Sequence, residues 1–352
     1  MQTSKTDLSV IPTKAEIQSF RTLIEDLDSG FLRSNDFLRD RQNIELKPFE
    51  NKPDAFFGKF MTRRDCLRYL MRGGGLLLAL PLSMAKAVEN TTGLSILDKY
   101  LGEELSYQIG YWLIGHCGDA KTGFLRTDVH DIYRISLEGH GVGFINFLLG
   151  RVKYSYISFC QYLPDEDRLR PVYFELIKKR GDKKSLRSVA FKYGDKEIVF
   201  IQTQPSGKTQ VHSEPMMPDR IYEDYLTLFY NFRHGYYGPI ERDRKYRLPL
   251  YTKKQMRPVK LQIADFEKEK QFRSQEFNQT DKHFFIQFQI NPEDVSSGSG
   301  EIEGWLSSDA TPIKGTIKDV IFFGDLWGDL IGKQVVKPGQ RVKVPTGLQN
   351  LL

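Results

Sequence analysis

Six side chains that commonly bind metals or transfer protons lie within 25 residues of one another in this sequence. Imidazole nitrogens and carboxylates are common zinc ligands, and a His beside an Asp can act as a general acid and base. The adjacent pair His130 and Asp131 is the strongest candidate, and a hydrolase that uses this pair is one hypothesis. The whole group consists of His116, Asp119, Asp128, His130, Asp131 and His140.

The surroundings of these residues favour a structural role. His130 and Asp131 fall in a predicted turn between strands, where polar residues belong, and His116 and His140 each stand beside a Gly. No nucleophile elbow, phosphate-binding loop or zincin motif accompanies them. We therefore predict no catalytic residue, no metal and no cofactor, and the enzyme remains the alternative.

The element that positions most of the chain is the β-strand. Apolar and polar residues alternate with a period of two, beginning at Leu105, Tyr107, Ile109, Tyr111 and Leu113. The alternation returns several times before residue 202 and again after residue 245. Strands this close together, with no helix between most of them, predict an antiparallel meander. The abundance of aromatic residues, 17 Tyr and 24 Phe, agrees with a mainly β protein.

One segment breaks this rhythm and predicts a helix. Its apolar residues are spaced by three or four, without Pro or Gly between them. Asp219 is the predicted N-cap and Gly235 the predicted C-terminal stop. The apolar face of this helix needs a cover, which the concave side of a curved sheet would provide. The residues of this pattern are Ile221, Tyr225, Leu228, Phe229 and Phe232.

The stretch Met61 to Ala87 is typical of an export signal. It has a basic start containing Arg63 and Arg64, an uncharged and mostly apolar run of about 13 residues, and the small-residue site Ala85-Lys86-Ala87. The run is too short for the roughly 20 residues that span a bilayer. Thr62 to Leu67 resembles a twin-arginine motif, although Cys66 stands where Phe is usual. We therefore predict the twin-arginine translocase and signal peptidase as partners and the periplasm as the location.

Two alternatives remain for this stretch. One is a buried helix hairpin, although three consecutive glycines would cost such a helix about 1 kcal/mol each relative to Ala. The other is an uncleaved signal that tethers the protein to the membrane. Because export signals normally begin at the first residue, translation from Met61 is a further hypothesis, with residues 1–60 as an extension. The predicted domains are thus 1–60, the signal 61–87, a β domain over 88–332 and an extended tail over 333–352.

Charge excludes one class of partner. The chain carries a net charge of +6, but residues 1–87 hold 14 Lys and Arg against 11 Asp and Glu, and the remainder 37 against 34. A surplus of three positive charges gives no reason to expect a nucleic-acid partner. After removal of the signal, Cys117 and Cys160 remain, and in an oxidising compartment they predict one disulfide. Two buried thiols are the alternative.

The ordered set of motifs over about Leu101 to Gly332 resembles an exported bacterial family, domain of unknown function 3108. The chain departs from that pattern at Cys117 and in an insert from Arg242 to Met256. The resembling segments are Gly102 to Tyr107, Ile114-Gly115, Gly118 to Ala120, Tyr133 to Gly139, Gly143-Phe144 ahead of Tyr154 and Tyr156, Leu169 to Pro171, Asp224 to Arg233, Glu303 to Asp309, and Pro312-Ile313 leading to Phe322 to Gly324.

The resemblance implies an envelope protein shaped as a β half-barrel around one helix, in the general style of periplasmic lipid and lipoprotein carriers, with no established reaction. We therefore predict a non-enzymatic protein that binds a hydrophobic or amphipathic ligand or an envelope protein. A structural scaffold of an envelope complex is a further alternative. Asp224 and Arg233, at the two ends of the helix, are predicted to contact polar groups of the ligand or to pair with neighbouring charges. The residues predicted to line the concave side are Tyr107, Tyr111, Tyr154, Tyr156, Phe229 and Trp305.

Overall fold

In a computed structural model of the chain, the structure describes residues 93–112, 115–143, 146, 151–252, 255–276, 283–295, 297–320, 324–336 and 340–349. The chain divides into two compact units, Met1–Gly93 and Leu94–Leu352. Almost all described residues belong to the second unit, so the predicted extension and signal segment lie outside them. Within these ranges, no helix is long and apolar enough to cross a membrane.

The described residues form mainly antiparallel strands. The first run is β1 (Glu103–Tyr111), β2 (Gly115–Thr127), β3 (Ile132–Gly141), β4 (Val152–Leu163), β5 (Arg168–Arg180), β6 (Lys183–Lys192), β7 (Glu197–Thr203) and β8 (Thr209–Pro215). The second run is β9 (Lys245–Thr252), β10 (Gln255–Ile263), β11 (His283–Gln289), β12 (Glu301–Ser307), β13 (Pro312–Val320), β14 (Gly324–Val335) and β15 (Arg341–Val342).

Short helices stand before, between and after these strands. They are α1 (Ile96–Tyr100), α2 (Tyr225–His234), α3 (Phe266–Glu276), α4 (Pro292–Val295) and α5 (Thr346–Gln349). Helix α2 lies in the connection from β8 to β9, which are the two edge strands of the sheet. This connection therefore returns the chain from one edge of the sheet to the other.

The sheet consists of two meanders joined in the middle. Its strand order is β8-β7-β6-β5-β4-β3-β2-β1-β14-β13-β12-β11-β10-β9, and β15 adds to β2 as a parallel strand. No ladder joins β8 to β9, so the sheet is open. Helix α2 nevertheless touches β3, β4, β5 and also β9. Because β5 and β9 are far apart along the sheet, the sheet must curl around the helix to reach it from both sides.

The ends of helix α2 explain its length. Asp224 is the N-cap, and its carboxylate accepts hydrogen bonds from the backbone N–H groups of Leu226 and Thr227. Gly235 ends the helix in the left-handed conformation, at φ 88°, which a residue without Cβ adopts at little cost. The predicted stop at Gly235 is confirmed. The predicted N-cap at Asp219 is wrong, because the backbone there is still left-handed at φ 60° and the helix begins five residues later.

Two clusters of buried side chains attach α2 to the concave face. The larger one joins Leu226 and Tyr230 to residues of the first meander, among them Phe124 and Ile135. The other joins Leu228 and Phe232 to β9, β10, β11 and β12. Phe191 on β6 meets Tyr251 on the edge strand β9 with ring centres 5.8 Å apart, which brings strands from the two meanders together. One helix thus fills the space between the two meanders.

The predicted mainly β architecture, an antiparallel meander around one helix, is confirmed. Two local predictions are not. The strand position of Trp112 in the sequence predicts a place in the core, but this side chain is 78 % exposed, because β1 ends at Tyr111. The predicted extended tail is in part strand and core: among its described residues, β14 continues to Val335, β15 pairs with β2, and Val344 is buried beside Ile132 and Phe159.

Candidate functional site

The half of the concave face under α2 holds a buried polar network. Asp224 accepts a 2.5 Å hydrogen bond from the Ser158 hydroxyl on β4. Glu223 accepts hydrogen bonds of 2.7 Å from the Asn231 amide and the Tyr237 hydroxyl. Asn231 also bonds both backbone groups of Leu169 on β5. The network fastens the helix to the strands beneath it.

Burial changes the protonation of this network. It raises the pKa of Glu223 to about 7, although the Thr227, Tyr237 and Asn231 hydrogen bonds oppose it. It raises the pKa of Asp224 to about 6 against the pull of Ser158 and of the helix N-terminal amides. Charged carboxylates lose hydration when buried, so both groups keep their protons to a higher pH than in water.

The other end of α2 holds a buried ion pair. The Arg233 guanidinium donates two hydrogen bonds to Glu103 on β1, of 2.6 and 3.0 Å, and a third to the Ala310 carbonyl. Both side chains are almost completely buried. The Tyr100 ring lies 4.4 Å from the guanidinium carbon. Since all of these partners belong to the protein, Arg233 and Asp224 attach the helix to the sheet.

Beyond the helix the same concave face becomes progressively exposed. On β3, Tyr133 and Ile135 are buried but Leu137 is half-buried. On β4, Cys160 is 0 % exposed, Tyr156 is half-buried and Tyr154 is 37 % exposed. On β1, Leu105 is buried, whereas Tyr107, Ile109 and Tyr111 are half-buried. This half of the concave face, which α2 does not cover, is called the trough below.

Small residues leave room in the trough. Gly139 faces into it, since it pairs with Ala120 on β2 and Tyr154 on β4. A Cβ added at Gly139 would have its nearest neighbours at 3.7 Å, and one at Gly315 on β13 at 3.9 Å. On the helix side, Tyr225 and Phe229 are the half-buried apolar residues of α2 and form its wall. The trough is thus a concave surface of apolar and aromatic side chains with space above Gly139 and Gly315.

Five of the predicted lining residues share the concave face. Tyr107, Tyr111, Tyr154 and Tyr156 alternate along β1 and β4 on that side, and Phe229 of α2 packs against the core cluster of the same face. Burial raises the pKa of Tyr111 to about 12, and the Tyr154 phenol is one of the groups near it. Tyr156 packs on Phe174 and Tyr225, with ring centres 6.4 and 6.5 Å away. Whether these residues bind a ligand stays a prediction.

The placement of Trp305 on the concave side is wrong. Its neighbour Leu306 packs with the concave cluster, so alternation turns Trp305 to the opposite face. There it is buried against Phe285, with ring centres 5.0 Å apart, and the aromatic cluster continues to Phe272 of α3. On β12, Trp305 shares its face with Glu301 and Glu303, whereas Ile302 and Leu306 belong to the concave face.

The predicted disulfide is also wrong. Cys117 and Cys160 are separate buried thiols. Cys160 pairs with Tyr133, and Tyr133 pairs with Arg126, which is nine residues along β2 from Cys117. At about 3.4 Å per residue the cysteines are therefore about 30 Å apart, whereas bridged Cα atoms lie within about 7 Å.

The His and Asp residues of the first hypothesis lie at the surface. His130 Nδ1 is 2.8 Å from Asp131 Oδ2, but their side chains are 92 % and 52 % exposed, in the turn between β2 and β3. His116 lies 2.9 Å from Asp119, and His140 lies 4.0 Å from it. No group of three or more potential metal ligands occurs among the described residues. Nothing desolvates these pairs, so their geometry favours surface ion pairs.

Residues of the predicted signal, Arg63, Arg64, Ala85 and Ala87, lie outside the described residues. The sequence interpretation missed Glu103, Glu223 and Asn231, which complete the buried networks around α2. Glu223 could have been found from the sequence, because it directly precedes the N-cap Asp224 and therefore lies where the helix begins beside the sheet. Glu103 carried none, because its Arg233 partner lies 130 residues away.

The sequence and fold can be compared with known proteins at this point. A family model described as a protein of unknown function, DUF3108, matches residues 106–330. No curated protein matches the sequence significantly. A similar solved structure is a β-barrel-like protein of domain of unknown function DUF1849 from Brucella abortus, at 12 % identity and a TM-score of 0.37, covering 67 % of this chain and 98 % of that one.

Proposed function

The chain belongs to the DUF3108 family of proteins of unknown function, and we propose that it is a non-enzymatic protein that binds the apolar part of an amphipathic ligand in the trough. One observation supports this most directly: along single strands, the concave face changes from fully buried positions near α2 to half-buried positions farther from it. Water-exposed apolar surface of this kind is unfavourable unless something covers it.

The shape of the trough agrees with an acyl chain as the occupant. Tyr107, Tyr111 and Tyr156 supply large apolar area, and their hydroxyls add polar tips. Ligand sites of this class are concave and mostly apolar, with few polar groups. Glu223, an acid buried near the start of the helix, accepts hydrogen bonds from Asn231 and Tyr237 through its Oε1 atom. The arrangement therefore fits binding better than catalysis.

A trough-filling substitution tests this proposal. Gly139→Leu places a side chain into the trough without a positive φ or a close contact. We expect the full-length variant to fold but to lose binding of the neutral fluorescent dye Nile red, and of any lipid that co-purifies with the wild type in native mass spectrometry. Glu138→Leu adds the same side chain on the opposite face of β3 and should bind as the wild type does.

The result that would reject the proposal is unchanged dye binding in the Gly139→Leu variant, or no binding by the wild type with a clean apo mass. A pull-down from the envelope that depends on Gly139 would instead identify a protein as the occupant.

We also propose that the protein is exported to the periplasm by the twin-arginine translocase. The support is the residue pattern alone: Arg63 and Arg64 ahead of an apolar run and Ala85-Lys86-Ala87. Replacing both arginines with Lys should retain the protein in the cytoplasm in cell fractionation. In the wild-type protein, mass spectrometry of the natural N-terminus should find Val88 as the first residue. A chain that begins at residue 1 would contradict cleavage. A chain that is exported but intact would indicate a membrane tether.

A further inference from the structure

One wall of the trough carries positive charge. On β5 the concave positions that follow Phe174 are Leu176, Lys178 and Arg180, and on β6 Arg187 pairs directly with Leu176. These side chains are half-buried, unlike the fully exposed cations at the hairpin tip. The nearby Glu175 and Glu138 belong to the opposite face, because strand residues alternate. The concave positions of β3 to β7 beyond the covered half carry no acid.

One of these cations lies at the border of the apolar surface. The Lys178 amine is 5.4 Å from the centre of the Tyr154 ring, which is the most exposed of the trough tyrosines. Tyr154 and Lys178 are directly paired across β4 and β5. The aromatic floor and the cationic wall are therefore continuous: an occupant lying on the tyrosines ends within reach of the positive charges.

We propose, on the basis of the proposed function, that the trough binds an anionic lipid, with its acyl chain on Tyr107, Tyr111 and Tyr156 and its negatively charged head group at Lys178 and Arg187. The argument is charge complementarity. A half-buried site with cations on one side attracts an anionic head group, repels a cationic one, and gains charge-assisted hydrogen bonds that a neutral head group forms less strongly. The acyl chain provides affinity, and the wall provides head-group selectivity.

The test uses full-length protein and three amphiphiles of equal chain length as competitors of Nile red, each below its micelle-forming concentration: dodecanoate, dodecyltrimethylammonium and dodecyl maltoside. We expect dodecanoate to displace the dye at an about tenfold lower concentration than the cation. The double variant Lys178→Gln with Arg187→Gln should raise the dodecanoate concentration needed by about tenfold and leave dodecyl maltoside unchanged. Added salt should weaken dodecanoate binding selectively.

A matched control is available on the same hairpin. Lys179 and Lys184 pair with each other on the opposite face. The double variant Lys179→Gln with Lys184→Gln therefore removes the same charge outside the trough, and it should change the affinity for neither dodecanoate nor dodecyl maltoside. An equal loss of dodecanoate affinity in both double variants would overturn the inference. An equal loss of affinity for dodecanoate and dodecyl maltoside in the variant Lys178→Gln with Arg187→Gln would also overturn it. If all three amphiphiles bind alike to the wild type, the inference fails while the proposed function stands. If none binds, both fail.

Discussion

The concave face has a closed half under α2 and an open half in the trough, built from the same strands. Ile135 and Leu137 are two residues apart on β3 and face the same side, yet Ile135 is 0 % exposed and Leu137 is half-buried. The polar groups differ as well. Asp224, Glu223 and Arg233 hydrogen-bond to protein groups in the closed half. In the open half, the Lys178 amine lies 5.4 Å from the centre of the Tyr154 ring, at the border of the apolar surface. Identical strand patterns thus serve stability in one half and, in our proposal, recognition in the other.

The largest expected effect is the loss of the buried ion pair in the closed half. Arg233→Ala leaves the Glu103 carboxylate buried without its guanidinium, and such changes cost about 3 to 5 kcal/mol of unfolding free energy. Urea denaturation would measure it. In the paired variant Arg233→Met with Glu103→Leu, much of the stability should return because no charge remains buried. A loss below about 1 kcal/mol in Arg233→Ala would show that water reaches the pair.

The next prediction compares two positions of one strand. Ile135→Ala should lower the unfolding free energy by about 2 to 5 kcal/mol, because it leaves a cavity in the closed half. Leu137→Ala should lower it by about 1 kcal/mol or less, since water already reaches this side chain. Equal losses in thermal and urea unfolding would contradict the division of the concave face. The Leu137 variant, but not the Ile135 variant once folded, should also weaken dye binding.

The buried carboxylates make the stability of the closed half depend on pH. Burial keeps Glu223 and Asp224 protonated in the folded chain up to pH values of about 7 and 6, whereas the unfolded chain releases these protons near pH 4. The folded chain therefore binds more protons in this interval, and stability falls as the pH rises through it.

Replacing Glu223 with Gln removes its part of this dependence. Between pH 4 and 8 the variant should lose less unfolding free energy than the wild type, by at most about 3 kcal/mol. Denaturation curves at several pH values would measure the difference. Arg168, whose charge faces Glu223, opposes the effect, so Arg168→Gln should steepen the wild-type slope. Parallel slopes in wild type and Glu223→Gln would contradict protonation of this carboxyl.

The smallest effect concerns the two thiols and involves no change in stability. Cys160 is 0 % exposed in the closed half, and Cys117 is 7 % exposed near the open end of β2. Burial raises both thiol pKa values, that of Cys160 more strongly. In a Cys66→Ser background, alkylation should modify Cys117 faster than Cys160, and both should react in denaturant without reductant. A thiol count of zero under those conditions would restore the disulfide.

Much of the fold could be predicted from the sequence. The alternation at Tyr133, Ile135 and Leu137 predicts strand β3, and the spacing of Tyr225, Phe229 and Phe232 predicts α2, because both patterns are local. The candidate site was predictable in part: Tyr107, Tyr111, Tyr154 and Tyr156 lie on the concave face as expected. Trp305 does not, because on β12 it shares its face with Glu301 and Glu303, and the aromatic cluster that reaches helix α3 buries it there.

The sequence by itself determined which residues alternate and where a helix interrupts them, since strand and helix periodicity depend on neighbours a few residues apart. Tertiary structure alone decided that Glu103 meets Arg233 across 130 residues, that Cys117 and Cys160 stand at opposite levels of the sheet, and that α2 covers only half of the concave face. These outcomes depend on register and on the curl of the sheet, which arise from contacts between distant strands.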